Sequence, residues 1–400
     1  AVIDDKNPTA LVSAIHQAIF VTPLNPLSSE STSKQNQQSV ILLVLLGYGN
    51  IGRQLIDILA QQLTHINRRG KTRLEVVAVA NSSNYIFDPK GVDLVNIDEA
   101  LAHSTLKTAA IEQCLATIND QQLAVIDVTA SQDVARLYAD YFGKGRHVVS
   151  ASKLGITLPS GDYEQLLRLA KSNNSQWLSN VTCGAGLPIQ QSISDLVYSG
   201  DKINTISGLF SGSLSWILNR YNGKKSFSSV VAQAKALGLT EPDPRDDLSG
   251  KDVQRKLLII ARTMGLTLDL EQIELTPLIP ERFLAMSGDE FANTSAELDV
   301  YMKQKWQHAN EQGLRLCYSA QLGFSRQQGE VNDEVKLSQA SVGLSFRDAN
   351  DPMICVSAAD NIVVIHSDWH NDNPLIIRGP GAGINVTAAG IVADLIKLVV

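Results

Sequence analysis

The sequence has little cysteine and no long apolar run, and each shortage removes a class of function. Cys114, Cys183, Cys317 and Cys355 are widely scattered, with no CxxC spacing. That pattern offers neither a zinc site nor a disulfide framework, so a reducing compartment, the cytoplasm, is expected. The longest apolar run, VILLVLL, has seven residues, which suits a buried strand and falls short of a membrane span. Basic residues are not in excess. The net charge of -7 argues against nucleic acid or a membrane surface as partner, and a small-molecule substrate is expected instead. An initiator methionine and a signal-type leader are also missing, so the chain is expected to begin as a processed protein or as a piece of a longer one.

What is present is an ordinary globular mix, 44% apolar and 19% charged over 400 residues, enough for two or three domains with sizeable cores. Residues 11–20, LVSAIHQAIF, have apolar side chains at helical spacing, and the following TPLNPLSSESTSKQNQQS has no periodicity. A lone helix and a flexible linker over 1–39 suggest the trailing edge of another domain. From Val40 the pattern changes. VILLVLL, LEVVAVA, LAVIDVTA and HVVSASK read as strands, and RQLIDILAQQL and ASQDVARLYADYF as intervening helices. Strands alternating with helices predict βαβ units and a parallel sheet, a Rossmann-type domain over 40–179. Beyond it, amphipathic segments and the strand-like LRLCYSAQLGF, KLSQASVGLSF and NIVVIHS predict a mixed α/β catalytic domain over 180–370. A last segment, 371–400, ends in the helical TAAGIVADLIKLVV and is expected to return to the first domain.

The first strand runs into GYGNIG and then a helix, so Gly47, Gly49 and Gly52 match G-x-G-x-x-G in the context that dinucleotide binding requires. The first glycine permits a tight turn, the second a close approach of backbone N–H groups to a pyrophosphate, and the third helix–strand packing. The helix N-terminus adds partial positive charge. An ordinary glycine turn is the bland alternative. The second strand ends in Asn81, Ser82 and Ser83, without the carboxylate that an NAD-selective site places there. A 2′-phosphate would not be repelled, so NADP is expected, with NAD as the alternative. Arg53 is either a phosphate contact or a solvent-facing helix arginine. The strands IDVTAS and HVVSASK place Thr129, Ser131, Ser150, Ser152 and Lys153 at the carboxyl edge of the sheet, where ligands bind in open α/β sheets.

The stretch TEPDPRDDLSGKDVQRKLL, residues 240–258, is dense in acid. Pro242 and Pro244 favour extended backbone and are expected to keep this stretch out of a helix. Ser249, with Asp252 three residues on, resembles a capping box for a helix starting near Gly250. On that helix Asp252 and Lys256 are i and i+4, sharing a face. A surface ion pair is the bland reading. Against it, Glu241, Asp246 and Asp247 are suited to grip an ammonium group, and Gly212 and Ser213 open a helix whose N–H groups can receive a carboxylate. Such a pair of grips fits an amino acid. Hydride addition to a carbonyl leaves an alkoxide that needs a proton, which a lysine can supply.

With TEPDPRDDLSGKDVQRKL, VTCGAGLP, SGDKINTISGLFSGSLSWI and RGPGAG, the chain from Val40 to Val400 resembles the homoserine dehydrogenases. It is most similar to the dehydrogenase half of bifunctional aspartokinase/homoserine dehydrogenases of the methionine-branch type. The resemblance implies NADPH-linked interconversion of L-aspartate 4-semialdehyde and L-homoserine. By position it gives Lys256 the role of proton donor, with Lys153 assisting, and has Glu241, Asp247 and Asp252 bind substrate or organise the lysine. Gly49, Asn50, Ile51, Thr129 and Gly383 would contact the cofactor. A monovalent cation such as sodium would be held by backbone carbonyls at Cys183, Ala185 and Leu187, near Asn180, where relatives often have Glu or Asp. An aspartokinase domain in the full-length protein, and a homodimer or higher homo-oligomer, are also implied. The rival readings are a catalytically silent assembly module of a kinase, and a reductase of another small amino-acid-like carbonyl.

Overall fold

A computed structural model describes residues 39–326, 335–355 and 360–399. The predicted helix at 11–20 and its linker lie outside them. Two six-stranded sheets organise the described chain. The first contains β1 (Ser39–Leu46), β2 (Thr72–Ala80), β3 (Tyr85–Phe87), β4 (Leu123–Asp127), β5 (His147–Ser150) and β6 (Trp177–Leu178), in the order β3-β2-β1-β4-β5-β6. All its neighbours pair in parallel except β2 and β3. Near-continuous apolar runs form these strands because both faces are covered, and Leu43, Val44, Val77 and Val125 have no exposed surface. The expected Rossmann-type sheet is present, with β1 and β4 flanking the point where the strand order reverses.

The second sheet contains β7 (Ile203–Leu209), β8 (Glu274–Leu275), β9 (Arg315–Arg326), β10 (Val335–Arg347), β11 (Asp360–Ser367) and β12 (Leu375–Pro380), in the order β12-β11-β7-β9-β10-β8. It is antiparallel apart from the β8–β10 pair.

Five helices position the site: α1 (Asn50–Arg69), α2 (Gly212–Arg220), α3 (Pro244–Leu248), α4 (Lys251–Thr263) and α5 (Ile384–Lys397). The last, α5, does return to the first sheet. Its Ala388, Ile391, Val392 and Leu395 pack in one core with Leu43 and Leu45 of β1 and Leu55, Ile56 and Leu59 of α1. Another core holds Val253, Leu257, Leu258, Ile260 and Ala261 of α4 against Leu214 and Ile217 of α2 and Tyr318, Ala320 and Leu322 of β9. Thus α4 turns an apolar face inward and is left with a polar face for chemistry.

Two expectations about the acidic stretch are corrected. Pro244 does not prevent a helix but opens one, standing in the first turn of α3 with Asp243 as its cap. Proline is well placed there because the first N–H groups of a helix have no internal partner and its φ is already helical. Nor does Ser249 cap α4. The cap is Gly250, left-handed at φ 73°, while the Ser249 hydroxyl donates to Asp246 O at 2.6 Å. A side chain at Gly250 would place its Cβ 2.0 Å from the Tyr318 hydroxyl. Backbone sign and space therefore both require glycine between α3 and α4.

Candidate active site

The carboxyl ends of β1 and β4 open a crevice of about 780 Å³ lined by Gly47, Tyr48, Gly49, Asn81, Ser82, Thr108, Thr129 and Ser131 among others. Gly47 turns the chain at φ 104°, and its N–H is held by Ala80 O at 2.9 Å. Gly52 packs so tightly that a Cβ would lie 2.1 Å from Gly47 O, whereas nothing lies within 4 Å of a Cβ on Gly49. The third glycine is thus needed for packing, and the second leaves open space. Asn50 and Ile51 begin α1 directly above this turn. Arg53 is turned aside: its guanidinium pairs with Asp98 and lies 4.6 Å from the Tyr48 ring centre. It does not line the crevice.

On the facing loop, Ser131 accepts from Val134 N as a helix cap. Thr129 is fixed by a residue that the sequence reading passed over. Asp127, fully buried at the end of β4, accepts from Thr129 N at 2.8 Å, Thr129 Oγ1 at 2.7 Å and the Tyr138 hydroxyl at 2.6 Å. Burial raises its carboxyl above the usual range despite those donors. A carboxylate ending an otherwise apolar strand, IDVTA, was the visible signal. Ser150 lies behind this group, accepting from Trp177 Nε1 at 3.1 Å.

A second cavity, about 810 Å³, brings together Gly212, Ser213, Glu241, Asp246, Asp247, Asp252, Lys256 and Gly383 from three separate parts of the chain. Lys256 Nζ donates to Phe210 O at 2.7 Å and pairs with Asp252 Oδ2 at 2.8 Å, and Lys153 Nζ lies 3.4 Å from Asp252 Oδ1. Burial alone would raise the Asp252 carboxyl, but the two ammonium groups prevail and hold it at about 2. Although 47% of its side-chain surface is open, that surface is in the cavity wall. One permanently charged carboxylate therefore orients two lysines, one from each sheet's neighbourhood.

Asp247 is held on both oxygens, by Ser213 Oγ at 2.6 Å and by Glu241 N at 2.8 Å. Ser211 extends the chain, lying 2.9 Å from Ser213 Oγ and capping Leu214 N at 3.2 Å. The Ser213 hydroxyl thus serves Asp247, leaving the backbone at Gly212 and Ser213 as the anion-facing group. Neither Ser211 nor the Phe210 carbonyl had been singled out in the sequence, and Lys251 and Arg255 also line this cavity unforeseen.

Behind the lysines, a short 3₁₀ helix, Asn180–Thr182, runs into an irregular stretch with Ala185 at φ 52°. Gln190 Nε2 ties it together, donating to Ser179 O at 2.7 Å, Asn180 O at 3.2 Å and Thr182 Oγ1 at 3.0 Å. Asn180 Nδ2 donates to Leu187 O at 3.0 Å, while its Oδ1 is buried without a partner. Cys183 is fully buried, its thiol pushed up to about 12, so it is no nucleophile. Among the described residues no group of three or more His, Cys, Asp or Glu could hold a metal. No described helix is long and apolar enough to cross a membrane.

The family profile "Homoserine dehydrogenase, NAD binding domain" matches residues 47–180, and "Homoserine dehydrogenase" matches residues 188–396. The bifunctional aspartokinase/homoserine dehydrogenase 2 of Escherichia coli (strain K12) is 36% identical over 405 residues, covering 100% of this chain and 46% of that protein. The bifunctional enzyme of Haemophilus influenzae is 32% identical, covering 99% of this chain and 46% of its own length. The chain thus spans less than half the length of these two relatives. Among solved structures, a Candida auris protein of unknown function matches with a TM-score of 0.78 at 29% identity, covering 90% of this chain and 98% of that one. A hyperthermophilic archaeal homoserine dehydrogenase in complex with NADPH shares the fold, with a TM-score of 0.65 at 22% identity over 90% of this chain and 97% of its own.

Proposed function

The chain belongs to the homoserine dehydrogenase family, and on that premise we propose that it interconverts L-aspartate 4-semialdehyde and L-homoserine with NADP(H). One observation carries this reading: Asp252, paired with two lysines, stands with Lys256 in the same cavity as Asp247, Glu241 and Asp246. A bound nicotinamide supplies or accepts the hydride. The protein's part is to hold the amino-acid end of the substrate and to manage one proton. Glu241, Asp246 and Asp247 grip the ammonium group, and the N–H groups at Gly212 and Ser213 receive the carboxylate. The carbonyl is thereby directed toward Lys256. Its Nζ, anchored by Asp252 and Phe210 O, gives its proton to the oxygen on which negative charge develops. Lys153 keeps Asp252 from drawing that proton back, because its own charge shares the carboxylate.

Thr129, Ser131 and the Gly47–Gly52 turn would hold the dinucleotide, and Asn81 and Ser82 leave room for a 2′-phosphate. A relative bound to NADPH supports this choice. For a monovalent cation, the carbonyl oxygens of Cys183, Ala185 and Leu187 remain the proposed ligands. The orphaned Asn180 Oδ1 fits an oxygen-rich cation site as a further donor, and a cation there would stiffen the loop behind Lys153 and Lys256. An aspartokinase region in the full-length chain, supported by the names of the relatives, belongs to the proposal, as do a homo-oligomer and a cytoplasmic location, which rest on the sequence reading alone.

Steady-state turnover with aspartate semialdehyde tests it. NADPH oxidation faster than NADH oxidation is expected. Absence of turnover with this aldehyde, alongside turnover of another carbonyl or of none, would overturn the assignment.

A further inference from the structure

Asn361 begins the buried part of β11. It is 1% exposed, and its Nδ2 has no hydrogen-bond partner. A buried amide donor left unpaired is rare enough to need a reason. Its surroundings supply one. On one side Asn361 stands opposite Gly379 of β12. On the other, Ile362 pairs with Leu209 of β7, so Asn361 lies where that strand runs on into Phe210, whose carbonyl anchors Lys256.

Immediately after β12 comes the turn Gly381-Ala382-Gly383. A side chain at Gly381 would set its Cβ 1.9–2.2 Å from the amide atoms of Asn361, so the turn rests directly on that amide. The other face of the turn is functional, because Ala382 and Gly383 line the cavity that contains Lys256 and Asp252. A single thickness of backbone therefore separates an unsatisfied donor from the reaction space. Glycine at Gly381 and Gly383 also leaves that backbone free to shift.

We propose that Asn361 is a positioning residue: its Nδ2 donates to a carbonyl of the Gly381–Gly383 turn when the dinucleotide is bound, fixing how closely that wall approaches the reacting atoms. Without cofactor the donor waits unpaired. With it, the turn settles and the bond forms. This inference rests on the homoserine dehydrogenase reading for its catalytic consequence, but not for the bond itself.

The test therefore has two readouts. Amide hydrogen exchange at residues 381–384 should slow at least tenfold when NADPH is added to the wild-type protein, and Asn361→Leu, similar in volume but without a donor, should remove that protection. In turnover, Asn361→Leu should lower kcat about tenfold, change the KM for the aldehyde less than twofold, and raise the deuterium isotope effect with labelled NADPH. Should the leucine variant fail to fold, Gly381→Ala, which lifts the turn off Asn361, is expected to lose the same protection. Equal protection in wild type and variant, or none in wild type, overturns the proposal. Failure of wild type to turn over the aldehyde, with exchange behaving as expected, would instead count against the substrate assignment alone.

Discussion

Lys153 and Lys256 come from segments a hundred residues apart, yet both end on Asp252, at 3.4 and 2.8 Å. A lysine alone in this wall could swing through many rotamers. Bound to Asp252 and to Phe210 O, Lys256 keeps only 13% of its side-chain surface exposed and lines the cavity. The arrangement is asymmetric: the shorter ion pair belongs to the lysine that also holds a backbone carbonyl.

Replacing Lys256 by methionine keeps most of the length of the side chain, unbranched, and removes the ammonium group that holds the proton. Loss of a positioned acid typically costs 10²–10⁴-fold, and about that fall in kcat is expected, with cofactor affinity retained. Fluorescence titration of NADPH beside steady-state kinetics separates the two effects. A variant within threefold of wild type would take Lys256 out of the reaction.

Asp252→Asn leaves two ammonium groups side by side without their shared counter-charge. In the wild type, Asp252 is held at about 2, so it stays ionised throughout the working range and cannot set the acid limb of the pH profile. Without the Asp252 carboxylate, Lys256 is held by Phe210 O alone, so kcat should fall by about tenfold or more. The carboxylate's stabilising contribution is complete above the ordinary carboxylate value and is lost only as pH falls toward 2. Steady-state kinetics of the variant with kcat equal to wild type would contradict this positioning role.

Ser213→Ala removes the 2.6 Å donor from Asp247 without touching the substrate cradle's backbone. A hydrogen bond to a charged group contributes roughly 1.5–3 kcal/mol. If Asp247 binds substrate and transfers no proton, as proposed, the KM for homoserine should rise about tenfold with kcat nearly preserved. A fall in kcat at constant KM would move Ser213 into the chemical step.

Much of this was legible in the sequence because it is local. The GYGNIG turn declares itself by spacing after an apolar strand, and Asp252–Lys256 by helical period. Hidden were contacts made through backbone and across the fold. Phe210 O has no side-chain signature, and Asn361 is an ordinary asparagine until β11 and β12 bring it under Gly381. The proline reading failed for a local reason: Pro244 was judged as a helix breaker, when its position just after Asp243 makes it a helix starter. The Arg53–Asp98 pair was hidden for a tertiary one, since the two are 45 residues apart.

The second and third glycines of the turn should separate stability from binding. Gly52→Ala places a Cβ 2.1 Å from Gly47 O, a backbone atom that cannot move aside, so a marked drop in Tm is expected. Gly49→Ala meets nothing within 4 Å and should fold normally, but its methyl group intrudes where a pyrophosphate would approach. Thermal melts with and without NADPH measure both. Normal stabilisation of Gly49→Ala by NADPH would place the pyrophosphate elsewhere.

Asp127 gives a pH signature of its own. Its folded-state value is raised by burial, above an ordinary value of 3.8, so between those two values the folded protein binds a proton that the unfolded chain releases. Stability from this group is therefore present at low pH and is lost as pH rises through the folded value. Asparagine can replace the carboxyl with little rearrangement. Its oxygen can accept from Thr129 N and Oγ1, and its amide can donate to the Tyr138 hydroxyl, which now acts as acceptor. The neutral side chain has no charge to desolvate. The Tm of Asp127→Asn relative to wild type should consequently rise with pH from about 4 and level off once wild-type Asp127 is ionised, while other titrating groups cancel in the difference. A constant offset at all pH values would mean that the carboxylate's charge is not what burial penalises here, and a growing deficit would mean that the charged form is the one the fold prefers.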